Sequence, residues 1–208
     1  MMPDSALPAH VASELTRNGY VVVEQFLDDP AIAALASECG NLHARGALQP
    51  AAIGRAGGKR LDAAVRGDST RWFDPAALSA PQERYWSRMD ALRKALNREL
   101  LLGLEELEAH FALYPPGAAY ARHRDRFSDD DARVLSTVVY LNSGWLEADG
   151  GALRLYLPAS AAVAHRDIFP VAGTLVLFLS ADFEHEVLPA RRDRLSIAGW
   201  IRRSASAP

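Results

Sequence analysis

The spacing of apolar positions changes once along this chain, near Gly103. Before it, apolar residues recur at helical intervals. Residues 9–18 read as a helix that stops at Gly19, a natural left-handed terminator. Tyr20–Val23 is a short apolar run of strand type. Asp28-Asp29-Pro30 supplies an acidic cap and a first-turn proline, so a second helix is expected from there to about Ala44. A third, over roughly 81–102, starts at Ser79–Pro81 and carries Tyr85, Met89, Leu92, Leu96 and Leu100 on one stripe. Residues 46–71 are rich in Gly, Arg, Lys and Ala and show no period, which predicts a loop or a mobile hairpin.

After Gly103 the period shortens. Apolar runs at 109–114, 119–123, 133–141, 152–157, 174–180, 185–189 and 194–201 are separated by Gly, Pro, Asp and Asn. Short strands at regular spacing with turn residues between them predict a sandwich or barrel. The expected architecture is mainly β: N-terminal helices supporting a C-terminal β-sandwich, in one domain over 1–208, with 1–107 as the helical and loop part and 108–202 as the β core.

Composition narrows the function classes. The chain has 208 residues, of which 49% are hydrophobic and 24% charged, enough for a sizeable core. Net charge is −3 and the isoelectric point is about 6.1, so no basic face is expected for nucleic acid or an anionic membrane. One cysteine, Cys39, excludes an intramolecular disulfide and a Cys-rich zinc site. No signal peptide or membrane-length apolar run is visible. A cytoplasmic protein is expected, and the Ala- and Arg-rich composition suits a GC-rich bacterial genome.

The tripeptide His-Arg-Asp occurs twice, at 123–125 and 165–167. On a strand, residues i and i+2 share a face, so either copy can present an imidazole beside a carboxylate. One further histidine from a neighbouring strand completes a 2-His-1-carboxylate triad, which leaves positions open on Fe(II). His185 opens a strand-like run. The interval from His123 leaves room for several strands to intervene and return, whereas His165 is too close for that. The spacing therefore favours His123, Asp125 and His185, with 165–167 as a solvated loop. An iron(II) centre that chelates 2-oxoglutarate leaves that anion's far carboxylate in need of a buried cation. Arg194 begins the apolar run after the turn 189–193, where the next antiparallel strand is expected. It shares a face there with Ser196, Ala198 and Trp200, and its fork suits a carboxylate.

The segments YPPGAAYARHRDRFSDDDARVLSTVVYLNSGW, GGALRLY and HEVLPARRDRLSIAGW resemble the prolyl hydroxylase domain oxygenases, the hypoxia-type enzymes and their bacterial relatives. A weaker echo lies upstream in NGYVVVEQFLDD and RGDSTRW. The resemblance implies a double-stranded β-helix (jelly-roll) core supported by about three helices. It implies prolyl 4-hydroxylation of a protein with Fe(II), O2 and 2-oxoglutarate as cosubstrate, ascorbate in support. It places iron on His123, Asp125 and His185, and the cosubstrate on Arg194, Tyr140, Tyr114 and Trp200. On the substrate side it implies Arg133, Arg66, Asp68 and Trp72, with Tyr120 added from the same segment, although Tyr114 and Tyr120 also have a packing reading. Loop 54–72 would close over a peptide. Two departures stand out: the acidic stretch after Asp125, and Ala198 where hypoxia-type enzymes carry a hydroxyl residue.

The expected protein is thus a monomeric 2-oxoglutarate-dependent dioxygenase acting on a protein that contains a target proline, with a translation factor such as elongation factor Tu as one candidate. Hydroxylation of a small molecule or free amino acid, and a catalytically silent iron/2-oxoglutarate sensor, are the alternatives.

Overall fold

The computed structural model describes residues 5–52, 62, 64–126, 132–158 and 163–203. Helix α1 (Leu7–Asn18) buries Leu7, Val11, Ala12 and Leu15, and ends where Gly19 takes φ 75° and donates its N–H to the Leu15 carbonyl. The left-handed turn feeds directly into β1 (Tyr20–Val23). Helix α2 (Asp29–Ala44) is capped by the Asp28 carboxylate, which accepts from the Ala31 N–H at 2.9 Å. Helix α3 (Ala80–Leu100) is capped by Ser79 and buries Tyr85, Met89, Leu92 and Leu96. Each of these side chains contributes about 1.5–3 kcal/mol by leaving water. Together they form the core between the helices and one face of the larger sheet. No helix among the described residues is long and apolar enough to cross a membrane.

The strands make two antiparallel sheets. The first short strands are β2 (Gln49–Pro50) and β3 (Ser69–Trp72); then come β4 (Glu106–Tyr114), β5 (Tyr120–His123), β6 (Arg133–Tyr140) and β7 (Leu153–Tyr156). The chain closes with β8 (His165–Ile168), β9 (Leu175–Leu179), β10 (His185–Val187) and β11 (Arg194–Arg202). The major sheet has the order β1-β9-β6-β11-β4-β3-β2 and the minor sheet β5-β10-β7-β8. Tyr114, Tyr140, Leu155, Val176, Phe178 and Phe183 fill the space between them. This is the double-stranded β-helix expected, with three helices backing the major sheet.

Three local expectations need correction. His165-Arg166-Asp167 is not a solvated loop: it forms β8, in register with β7, and Asp167 accepts two hydrogen bonds from Arg154 at 2.7 Å. The turn 189–193 does not make a hairpin; β10 lies in the minor sheet and β11 in the major one, so the turn carries the chain across the sandwich. The region 46–71, by contrast, does form a hairpin, one of its two expected forms: β2 and β3 pair antiparallel at the edge of the major sheet, with residues 53–61 and 63 outside the described residues. Finally, β5 ends at His123, so Asp125 stands beyond the strand in a bend, not on a shared strand face.

Candidate metal centre

Strands β5 and β10 are neighbours, and their register sets His185 directly opposite His123. Each imidazole has its Nδ1 beside a main-chain carbonyl: His123 at 2.7 Å from the Ala121 oxygen, His185 at 3.3 Å from that of Phe183. With Nδ1 donating there, both Nε2 lone pairs face the sandwich interior. Asp125 lies between them, its Oδ1 3.6 Å from His123 Nε2 and its Oδ2 3.5 Å from His185 Nε2. One donor atom from each of the three falls within 4.8 Å of the others, a spacing one metal ion can bridge.

The electrostatics suit a cation. Burial raises the Asp125 carboxyl, but His185, His123 and the Ser136 hydroxyl outweigh it and hold the group well below the usual carboxylate range. Burial pushes His185 down to about 4 against the pull of Asp125. The site therefore presents one anion and neutral imidazole nitrogen, the donor set of a facial triad. Tyr120 stacks on His123 with ring centres 3.7 Å apart, and Phe178 packs edge-on against His185 at 4.8 Å.

The triad opens into a cleft holding about 530 Å³ of empty space, its open mouth included. At its inner end Arg194 is only 2% exposed. Its Nε donates to the Gly151 carbonyl at 2.8 Å, and no carboxylate pairs with it among the described residues. The rings of Tyr114 and Tyr140 flank the guanidinium at 5.3 and 5.1 Å. Burial pushes the Tyr140 phenol up to about 12 and Tyr114 well above its ordinary value, so both are neutral donors at neutral pH. The Tyr140 hydroxyl is buried with no hydrogen-bond partner of good geometry. A buried cation without a counter-charge beside an unused phenol fits a ligand carboxylate, and so fits the far end of 2-oxoglutarate.

The remaining expected residues divide. Arg66, Asp68, Tyr120 and Trp200 line the cleft. Arg66 donates to both oxygens of Asp68, at 2.7 and 3.0 Å, and covers the Tyr120 ring, so this pair is already satisfied and acts as wall. Trp200 is sandwiched by the Arg133 guanidinium at 3.6 Å and by Trp72, whose indole is half exposed at the mouth. Tyr140 stands behind Arg194 and outside the lining. Of loop 54–72, only residue 62 and residues 64–72 are described, and Arg66 bridges to Tyr120. The acidic residues 129–131 also lie outside the described residues, with Arg126 the last described residue before them.

Sequence reasoning missed three participants. His110 sits on the inward face of β4, buried between Trp72 and Trp200 and opposite Ala198, and burial pushes it down to about 4 against the Phe111 carbonyl. Ser136 donates to Asp125 Oδ2 at 2.7 Å, and Ser180 lies 2.8 Å from Ser136. A polar residue inside an apolar alternation, as in 109–114 and 133–140, was the available signal.

The 2OG-Fe(II) oxygenase superfamily profile matches residues 109–202. The crystal structure of a Pseudomonas putida prolyl-4-hydroxylase is 46% identical to this chain, with TM-score 0.85; the match covers 95% of this chain and 100% of that one. A Trichoplax adhaerens prolyl hydroxylase, in complex with a hypoxia inducible factor oxygen degradation domain peptide fragment, is 26% identical with TM-score 0.86, over 99% and 94% of the two chains. The Caenorhabditis elegans hypoxia-inducible factor prolyl hydroxylase is 31% identical over 203 residues, which is 92% of this chain but 27% of the worm protein.

Proposed function

Because this chain belongs to the prolyl hydroxylase family of the 2OG-Fe(II) oxygenase superfamily, we propose that it hydroxylates a prolyl residue of a protein substrate at the 4-position. The observation that carries this reading is the full-length likeness, at 46% identity, to the P. putida prolyl-4-hydroxylase. Residues 1–208 act as one oxygenase domain. A translation factor such as elongation factor Tu is the first target to test. The same reading makes the protein a cytoplasmic bacterial monomer sustained by ascorbate.

In this reading His123, Asp125 and His185 hold Fe(II), and Arg194 pairs with the distal carboxylate of 2-oxoglutarate, assisted by the Tyr140 and Tyr114 hydroxyls. When bound, the iron would activate O2, the oxidant, and 2-oxoglutarate would supply two of the electrons that reduce it as it is converted to succinate and CO2, so that one oxygen atom can go to the proline. The chain's own residues do the rest. The main-chain carbonyls behind His123 and His185 engage both Nδ1 atoms and so turn both Nε2 atoms inward. Arg194 fixes the cosubstrate by its far end, which sets the orientation of the reacting end. Trp200 walls the cleft and limits water. Trp72, Arg133, Tyr120 and the Arg66–Asp68 pair form the face that receives the prolyl peptide.

The test is turnover with peptides. Purified protein is given Fe(II), 2-oxoglutarate and prolyl peptides from elongation factor Tu. Succinate release and the gain of one oxygen on proline are then read by mass spectrometry. Succinate release driven by a small amino acid and by no peptide would replace the protein substrate with a small molecule. Cosubstrate binding with no succinate release under any condition would make the protein a sensor.

A further inference from the structure

The metal-centre reading leaves one question about Asp125. His123 is fixed by its strand and by the Ala121 carbonyl, and His185 by β10 and the Phe183 carbonyl. Asp125 has no strand, since β5 ends two residues earlier. A carboxylate in a bend is free to rotate about two side-chain bonds, and each wrong rotamer turns its oxygens away from the imidazoles. Something outside the bend must aim it.

That contact comes from the opposite sheet. Ser136, on β6, is 1% exposed and donates its hydroxyl to Asp125 Oδ2 at 2.7 Å. A serine hydroxyl has one proton, so the Ser136 oxygen can only accept from Ser180 across the 2.8 Å that separates them. Ser180 is fully buried at the end of β9. Its own N–H donates to the Val134 carbonyl at 3.0 Å, which ties it to β6, and its carbonyl accepts from the Arg126 N–H at 3.4 Å. Arg133 Nη1 donates to the Asp125 main-chain carbonyl at 3.3 Å. The bend is therefore gripped at the peptide group that follows Asp125, through both its carbonyl and its N–H, and at the carboxylate itself. With Oδ2 occupied, Oδ1 is the oxygen left free beside His123 Nε2.

We propose that Ser136, backed by Ser180, is the positioning residue of the metal centre: the hydroxyl pair takes Asp125 Oδ2 and presents Oδ1 to the metal. The proposal rests on the metal-centre reading above. The pair is buried, polar and satisfied only through Asp125, which is what a group retained for orientation requires, since an apolar pair would pack as well without it. Partners of this kind, behind a ligand, typically tune affinity by 10–100-fold when removed.

The experiment is a Co(II) titration of the full-length apoprotein, followed by the visible bands of the bound ion and by calorimetry. Ser136→Ala is expected to weaken Co(II) binding about 10- to 100-fold. Ser136→Thr, which keeps the hydroxyl, should stay within about threefold of wild type, and Ser180→Ala should fall between them at about fivefold, the effect of one net hydrogen bond. Apoprotein melting temperatures accompany each variant. Equal affinity in Ser136→Ala and wild type overturns the proposal. So does an equal loss in the Ala and Thr variants, which would trace the effect to packing. If Ser136→Ala does not fold, the Ser180→Ala affinity decides alone. Wild-type protein that binds no Co(II) removes the metal centre itself, a failure distinct from a variant that matches it.

Discussion

Arg194 is the residue whose replacement separates binding from stability most cleanly. In Arg194→Ala a guanidinium that is 2% exposed is lost, along with its bond to the Gly151 carbonyl. If it meets the distal carboxylate of 2-oxoglutarate, the mutation strands a buried anion. Breaking one side of such a pair costs about 3–5 kcal/mol. Water retained in the cleft screens part of this, so the lower end applies, and 3 kcal/mol corresponds to a loss of affinity of about 10²-fold. The assay is calorimetric titration of the Mn(II)-loaded protein in the absence of oxygen. Two ligands are compared: 2-oxoglutarate, and 2-oxobutyrate, which keeps the chelating end but lacks the far carboxylate. The variant should lose about two orders of magnitude for 2-oxoglutarate and less than about threefold for 2-oxobutyrate, the remainder being the coupling between guanidinium and carboxylate. An equal loss for both ligands, or none, refutes the assignment. Stability runs the other way: because the apoprotein buries this charge without a carboxylate partner among the described residues, Arg194→Leu should leave its melting temperature unchanged or raised. A fall of several degrees would mean that the cation is already neutralised by something else.

Further outcomes follow from other parts of the structure. His123→Ala and Asp125→Ala should abolish iron-dependent 2-oxoglutarate turnover, while His165→Ala, on the outer face of β8, should retain it; the reverse pattern would reassign the ligands. His110 is held at about 4 in the fold against an ordinary 6.5, so the unfolded chain takes up its proton first as pH drops. Its contribution to stability is whole above 6.5 and is lost as pH falls toward 4, at about 1.4 kcal/mol per pH unit; His110→Leu should flatten the wild-type slope by that amount in urea titrations, and an unchanged slope would count against a buried neutral imidazole. Gly19→Ala places a Cβ at φ 75° and 2.8 Å from the Phe183 ring, and should cost about 1–3 kcal/mol in denaturant unfolding, partly recovered in a Phe183→Leu background.

The sequence made some of this legible and hid the rest for physical reasons. Helices α1, α2 and α3 were readable because caps and a 3.6-residue apolar stripe are local properties; Asp28, Ser79 and Gly19 each mark their own helix end. The grouping of His123, Asp125 and His185 could be anticipated from spacing, yet the local reason differed. Strand alternation does not bring Asp125 beside His123; a bend does, and a serine on another strand holds it. β8 was missed because His165-Arg166-Asp167-Ile168 has one apolar residue, and its pairing energy comes from β7 and the Arg154–Asp167 contact. The sheet change between β10 and β11 was hidden because five turn residues suit a hairpin and a crossing equally well. His110 and Ser136 stand out locally as polar residues inside apolar runs, but what they and Ser180 do depends on neighbours distant in sequence, which no local pattern reveals.

The pairing of β1 with β9 has a consequence for how the molecule is made. Tyr20 lies opposite Phe178, and Val23 opposite Leu175, so the first strand completes its hydrogen bonds with one of the last. At roughly 5–20 residues per second of synthesis, the apolar run Tyr20–Val23 emerges on the order of ten seconds or more before its partner exists. During that interval α1 and β1 form a helix and a bare edge with nothing to close on, the kind of surface chaperones retain. His185 follows β9, so the last of the three candidate metal donors is translated only after β1 can dock. Metal uptake then becomes a mark of completed synthesis: chains cut short before β9 should neither hold the ion nor escape proteolysis.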